Sequence, residues 1–244
     1  MSSTETKIAL ITGANKGIGL ETARQLGAQG VQVIVGARDL AKAESAAAQL
    51  RKDGIAAEAL RIDVTDAASI AAAAQEVEQK HGRLDILVNN AGICADDFAL
   101  KPSQQSIATW RITFDTNVFG LVETTQAFLP LLRKSAGGRI VNLSSILGSN
   151  TEHLDPQSPI YEYKLPAYDV SKSAVNAWTV HLAHELRGTP IKVNAVHPGS
   201  VKTDMNAQGS LTLEEGARSS VELALIGADG PSGSFSHLGQ TLPW

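Results

Sequence analysis

Short runs of β-branched and aliphatic residues alternate along this chain with alanine-rich stretches whose apolar positions recur at helical spacing. The runs predict strands at residues 8–11, 31–35, 57–62, 86–89, 139–143 and 191–196, with a seventh, short strand at 235–238. The stretches predict helices at 18–28, 40–52 and 67–81, a long one around 105–132, and one at 167–187. Runs that are apolar throughout bury both faces of a sheet, and strands separated by helices pair in parallel. The fold class predicted is therefore α/β: a mostly parallel seven-stranded sheet with helices on both faces, in three α/β/α layers. Gly30, Gly54, Gly82 and the pair Gly137-Gly138 stand where left-handed caps would close the first four helices.

At 244 residues the chain fits a single domain of this kind, and no composition break marks a linker. Lys and Arg number 21 against 25 Asp and Glu, and this balance argues against nucleic acid or an anionic membrane as main partner. The single cysteine, Cys94, excludes an internal disulfide and reads as a small core residue. Residues 1–7 are polar and the following apolar run stops at Gly13, so neither a signal-peptide core nor a membrane-length run is expected. A cytoplasmic location is expected. The histidines are scattered without metal-ligand spacing, so no metal site is expected. Residues 150–166 carry three of the nine prolines with little periodicity and read as a loop.

The turn after the first strand reads Thr12-Gly13-Ala14-Asn15-Lys16-Gly17-Ile18-Gly19 and opens a helix. Glycines let backbone approach a phosphate, and a helix N-terminus offers free N–H groups and a favourable dipole. The spacing Gly-x-x-x-Gly-x-Gly departs from the Gly-x-Gly-x-x-Gly fingerprint, and alone it also fits a turn with no ligand. The second strand ends Gly36-Ala37-Arg38-Asp39. Arg38 and Lys16 offer two cations to the 2′-phosphate of NADP(H), whereas Asp39 keeps NAD(H) open. Further on, Tyr168 and Lys172 share a helix face. The ammonium is expected to lower the phenol pKa from about 10 toward proton exchange with a carbonyl oxygen.

Taken in order, Thr12 to Gly19, Asn89-Asn90-Ala91-Gly92, Asn117, Val141-Asn142-Leu143-Ser144-Ser145, Tyr168 to Lys172 and Pro198-Gly199 resemble the classical short-chain dehydrogenase/reductases, from about Lys7 onward. The Asn15-Lys16 turn, Ala37-Arg38-Asp39 and Leu213-Glu214-Glu215-Gly216-Ala217 look most like the NADPH-dependent carbonyl reductases within that family. The resemblance implies one Rossmann-type domain over residues 1–244 that reduces a ketone or aldehyde reversibly. Tyr168 would be the general acid or base, Lys172 would tune it and hold the ribose, Ser145 rather than Ser144 would bind the substrate oxygen, and Asn117 would hold a water linking Lys172 to solvent. Gly13, Asn15, Lys16, Gly17, Ile18, Gly19 and Arg38 would hold the phosphates. Asp63 and Val64 would line the adenine pocket, though Asp63 also reads as a helix cap. Asn90, Ala91 and Gly92 would lie beside the nicotinamide ribose, and Pro198, Gly199, Val201 and Thr203 at the nicotinamide end.

The segment 150–166 is longer than in compact members and is expected, with a substrate loop at 200–215, to cover the pocket, an unconstrained surface loop being the equal alternative. It also leaves the oligomeric state open among monomer, homodimer and homotetramer. Trp110, Trp178 and Trp244 read as packing residues, and Trp244 equally as a subunit contact. Two other activities fit part of the pattern: a non-catalytic NADP(H) sensor, and a lyase or epimerase using its nucleotide internally.

Overall fold

The computed structural model describes residues 6–244; most of the polar N-terminal stretch lies outside them. The strands are β1 (Ile8–Thr12), β2 (Gln32–Ala37), β3 (Ala57–Arg61), β4 (Ile86–Asn89), β5 (Arg139–Leu143), β6 (Lys192–Val196), β7 (Phe235–His237) and β8 (Gln240–Thr241). They form one sheet in the order β3-β2-β1-β4-β5-β6-β7-β8, parallel except for the last pair. This is the doubly wound Rossmann arrangement, whose order reverses between β1 and β4 and leaves a crevice beyond their carboxyl ends.

Side chains on successive strand residues point to opposite faces, and the core divides accordingly. On one face Ala9, Ile11, Val33 and Val35 meet α1 (Gly17–Ala28), α2 (Leu40–Lys52) and α8 (Leu213–Leu225) through Leu26, Ala43, Leu50 and Val221. On the other, Ile8, Leu10 and Ile34 meet α3 (Ala67–His81), α5 (Gly120–Leu132) and α7 (Pro166–Glu185) through Ile70, Val77, Phe128 and Leu182.

Four expectations change. Among the described residues the sheet has eight strands, not seven, because Leu238 (φ 46°) and Gly239 (φ 75°) form a tight turn with both central residues left-handed, which folds β8 back antiparallel on β7. The long helix is interrupted: α4 (Ile107–Phe114) is capped by Ser106, whose side chain accepts from Thr109 N, and a π turn over Asp115–Phe119 joins it to α5. Gly30, Gly54 and Gly82 are left-handed as expected, but neither Gly137 nor Gly138 is. Gly138 is instead needed for space, since a Cβ there would stand 3.1 Å from both the Leu132 carbonyl and Ile191 Cγ1. Finally, α8 follows the expected last helix; its sequence signal is Thr212-x-x-Glu215, which forms a reciprocal capping box.

Candidate active site

The glycine-rich turn lies at the carboxyl end of β1, and its shape is set from β4. Asn90 Nδ2 donates to the carbonyls of Thr12 (2.7 Å) and Gly13 (3.2 Å), while Thr12 Oγ1 accepts from the amides of Asn90 and Ala91. Gly13 has φ 64°, and a Cβ on it would come 3.0 Å from Ala91 Cα; one on Gly19 would come 2.4 Å from Asn90 Nδ2. Asn15 and Ile18 between them are half-buried. Among the described residues no side chain caps α1, whose N-cap is Lys16, and no acidic residue occupies its first turn, whereas Asp39 caps α2 and Asp66 caps α3. An uncapped helix start framed by obligatory glycines fits a phosphate group.

At the end of β2, Arg38 is exposed and makes no hydrogen bond among the described residues. Asp39 is spent on Lys42 N. Asp63 does not cap α3, as its alternative reading held; its carboxylate accepts from Thr65 N (3.0 Å) and Thr65 Oγ1 (2.8 Å). Those bonds, chiefly the backbone one, hold its pKa below the usual carboxylate value, with Arg38 adding to the effect. Val64 is buried, and its carbonyl lies where a Cβ on Gly120 would approach to 2.3 Å. Lys16 crosses the crevice to pair with Asp204 at 2.5 Å, both side chains being exposed.

The start of α7 explains how Tyr168 is aimed. Pro166 supplies no N–H, and the next two amides, of Ala167 and Tyr168, both donate to the Asp96 carboxylate at 2.9 Å. Asp169 turns back to accept from Leu165 N at 2.9 Å. Two carboxylates thus stand at the positive end of the helix dipole. Sequence reasoning did not single out Asp96; it lies four positions beyond the Asn-Asn-Ala-Gly run, a spacing with no local meaning.

One turn further along α7, Lys172 is buried, donates to the Leu143 carbonyl (2.8 Å), and lies 5.5 Å from the Tyr168 ring centre. Asn117, set in the π turn, exchanges two bonds of 2.8 Å with the amide and carbonyl of Ile93 and donates to Ser171 Oγ at 3.0 Å. A Cβ on Gly92 would stand 3.3 Å from Asn117 Oδ1 and 3.5 Å from Lys172 Nζ. Ser145 Oγ accepts from Leu147 N and stands near enough to the Tyr168 phenol to lower its pKa. Ser144, by contrast, is committed to Asn176 at 2.6 Å. The four residues Asn117, Ser145, Tyr168 and Lys172 therefore belong to one connected neighbourhood.

Its electrostatics differ from the expectation. Burial pushes the Tyr168 phenol above its usual range, Cys94 and Asp169 add to this, and only Ser145 opposes. Lys172 does not hold the phenol down, because burial brings the lysine itself to about 8 and its Nζ is turned to Leu143. Desolvation of both groups outweighs their attraction. Burial likewise raises Asp169 to about 7 and the half-buried Cys94 to about 11, which leaves that thiol a weak nucleophile.

Beyond β6, Pro198 leads to Gly199 at φ 88°, where a Cβ would strike Leu211 Cδ1 at 2.3 Å. Val201 bridges to Leu211 and Thr203 to Asn206, so the expected substrate loop is a compact double-back. Its last residues, from Leu213, are already helix α8. The segment 150–166 is not all loop: α6 (Asn150–Leu154) starts it, and Thr151 donates twice to the main-chain oxygen of Trp244, which stacks on Phe235.

A family model described as short chain dehydrogenase matches residues 7–213. The chain belongs to the short-chain dehydrogenase family. It is 37% identical to short-chain dehydrogenase/reductase 1 of Saponaria officinalis, over 98% of this chain and 96% of that protein. To a (+)-neomenthol dehydrogenase of Capsicum annuum it is 33% identical, over 96% of each. Among solved structures, the NADPH-bound carbonyl reductase from chicken fatty liver superposes with a TM-score of 0.85 at 29% identity, covering 98% of this chain and all of that one. Salutaridine reductase from Papaver somniferum gives 0.82 at 30%, covering 94% and 99%. As a member of this oxidoreductase family the chain has the reductase-type fold from β1 into α8, and among its described residues no helix is long and apolar enough to cross a membrane.

Proposed function

We propose that this short-chain dehydrogenase is an NADP(H)-dependent carbonyl reductase that converts a ketone or aldehyde to an alcohol, reversibly. The observation that supports it most is the convergence of Tyr168, Ser145 and Lys172 beside Gly92, across the crevice from the uncapped start of α1. Gly13, Asn15, Gly17, Ile18 and Gly19 would hold the pyrophosphate, Arg38 and Lys16 the 2′-phosphate, Asp63 and Val64 the adenine. Ala91, Gly92, Pro198, Gly199, Val201 and Thr203 would flank the nicotinamide end. The bound cofactor supplies or accepts the hydride.

Negative charge grows on the carbonyl oxygen during reduction, and the residues that meet it must already be in place. Tyr168 keeps its proton at neutral pH, as its raised pKa requires, and so is poised to donate it to that oxygen. Ser145, close to that phenol, holds the oxygen. Lys172, with a pKa brought to about 8, can return a proton to the phenol. Asn117 is a positioning residue: its amide is spent on Ile93 and Ser171, so the proton link expected of it runs past a fixed brace. The related carbonyl reductase from chicken, solved with NADPH bound, favours the same chemistry and cofactor, and the menthone neomenthol reductase of Mentha piperita favours the same chemistry.

The test is NADPH oxidation with benzaldehyde, acetophenone, ethyl acetoacetate, cyclohexanone and menadione, NADH being run in parallel. Tyr168→Phe should lower turnover at least about 100-fold while still binding NADPH, the scale of a lost acid catalyst. Near-normal turnover of a folded Tyr168→Phe protein would refute the assignment. NADPH binding without turnover of any carbonyl would favour a sensor.

A further inference from the structure

The three residues after Ser145 form a 3₁₀ turn, Ile146–Gly148, and each is fastened through its backbone by a different side chain. Ile146 N donates to His197 Nδ1 at 3.2 Å. Gly148 O accepts from Ser173 Oγ at 2.9 Å, and the turn lies so close to α7 that a Cβ on Gly148 would come 2.7 Å from the Lys172 carbonyl carbon. Leu147 O, between them, pairs with His153 Nε2 at 3.0 Å. The first two contacts come from residues at the end of β6 and on α7. The third comes from α6, inside the segment that lengthens this chain between Ser145 and Tyr168.

His153 is buried enough to be held: its side chain is 14% exposed. Lys164 Nζ stands 3.1 Å from Nδ1. An ammonium can only donate, so Nδ1 is the acceptor and Nε2 carries the hydrogen. Nε2 donates to Leu147 O at 3.0 Å and lies 3.4 Å from Asp169 Oδ2, close to it without a hydrogen bond between them. Asp169 follows Tyr168 directly and has its other oxygen, Oδ1, buried without a partner. The ring therefore spans the Ser145 turn and the Tyr168 end of α7, the two pieces whose relative placement decides whether hydroxyl and phenol meet one oxygen.

We propose that His153 is a further positioning residue for the reaction: its Nε2–H holds Leu147 O while the ring packs against Asp169, and this clasp sets the spacing of Ser145 and Tyr168. The inserted segment then serves the chemistry as well as any covering of substrate. The clasp is neutral, so its effect is geometric; a displacement near 1 Å at a reacting group can cost about 100-fold. The inference rests on the carbonyl-reductase reading above.

The experiment compares parent, Tyr168→Phe, His153→Ala, His153→Gln, His153→Phe, Asp169→Asn and the His153→Ala/Asp169→Asn double variant, each with NADPH and the best carbonyl of the five named probes. His153→Ala should lower kcat at least about tenfold with the NADPH KM within about twofold, since the cofactor turn is held from β4. His153→Gln, whose amide can still donate to Leu147 O, should recover most of the loss. The double variant should lose less than the product of the single losses, because both act through one clasp. A folded His153→Ala protein with parental kcat, or equal losses in the Ala and Gln variants, would overturn the inference. Should His153→Ala not fold, His153→Phe, which fills the same space but cannot donate to Leu147 O, decides: parental kcat in a folded His153→Phe protein is equally fatal. An inactive parent, or an unaffected Tyr168→Phe, would instead sink the carbonyl-reductase reading itself.

Discussion

Asn117 holds Ile93 by both polar groups of one residue: Oδ1 accepts the Ile93 N–H and Nδ2 donates to the Ile93 carbonyl, each at 2.8 Å. The grip fastens the strand-to-loop passage after β4 to the π turn before α5. Asn117→Ala should leave those groups unpaired beside a buried site and cost about 1–3 kcal/mol. Urea denaturation measures it, and no change in midpoint would show that the backbone finds other partners.

Lys172 is buried with its pKa brought down from 10.5 to about 8. Between those values the unfolded chain binds the proton that the folded one has lost, so stability rises with pH through that window. Lys172→Met removes the penalty for burying a charge. The variant should melt above the parent at pH 7, and the difference should shrink toward pH 10.5. A difference that grows with pH would contradict the assignment of burial as the cause.

Asp169 moves the other way, from 3.8 to about 7. Here the folded chain keeps a proton that the unfolded one releases, so stability falls as pH rises across that interval and the loss is complete above 7. Asp169→Asn places an amide donor where Oδ1 has no partner. Thermal melts at pH 5 and pH 8 should show the Asn variant gaining on the parent at the higher pH; parallel pH dependences would exclude it.

Lys16 is engaged by Asp204, and the same ammonium is assigned to the 2′-phosphate of the proposed cofactor. The carboxylate should compete for it. Asp204→Asn is expected to tighten NADPH about two- to fivefold and leave NADH alone, as the charge is exposed and screened. Lys16→Ala should weaken NADPH and spare NADH. Fluorescence titration of both cofactors decides, and equal shifts for the two would remove Lys16 from phosphate recognition.

Much of the fold was legible because its signals are local. Apolar runs such as Ile86–Asn89 bury both faces of a strand, and alanine-rich stretches such as Ala67–His81 carry one apolar stripe; both repeats follow from backbone geometry, and the structure has them with those bounds. The weak places were those where neighbours override local pattern: the π turn at Asp115–Phe119 lies inside an unbroken helical periodicity, and the buried face of α8 sets Gly216, Ser219 and Ser220 beside Val221 and Leu223, so its apolar stripe is broken by small and polar residues.

By itself the sequence determined the alternating strands and helices from β1 to α3 and the strands β4 to β7, the glycine-rich turn, and the pairing of Tyr168 with Lys172 one helical turn apart, because each depends on residues within a few positions of one another. Only the tertiary structure decided what those groups face: Asp96 beneath the amides of Ala167 and Tyr168, Asn117 on Ile93, Lys172 on Leu143, His153 between Leu147 and Asp169. The same holds for charge. Residue type sets a reference pKa, but burial among distant segments raised Tyr168 and lowered Lys172, and desolvation is a property of the packed molecule with no counterpart in the linear chain.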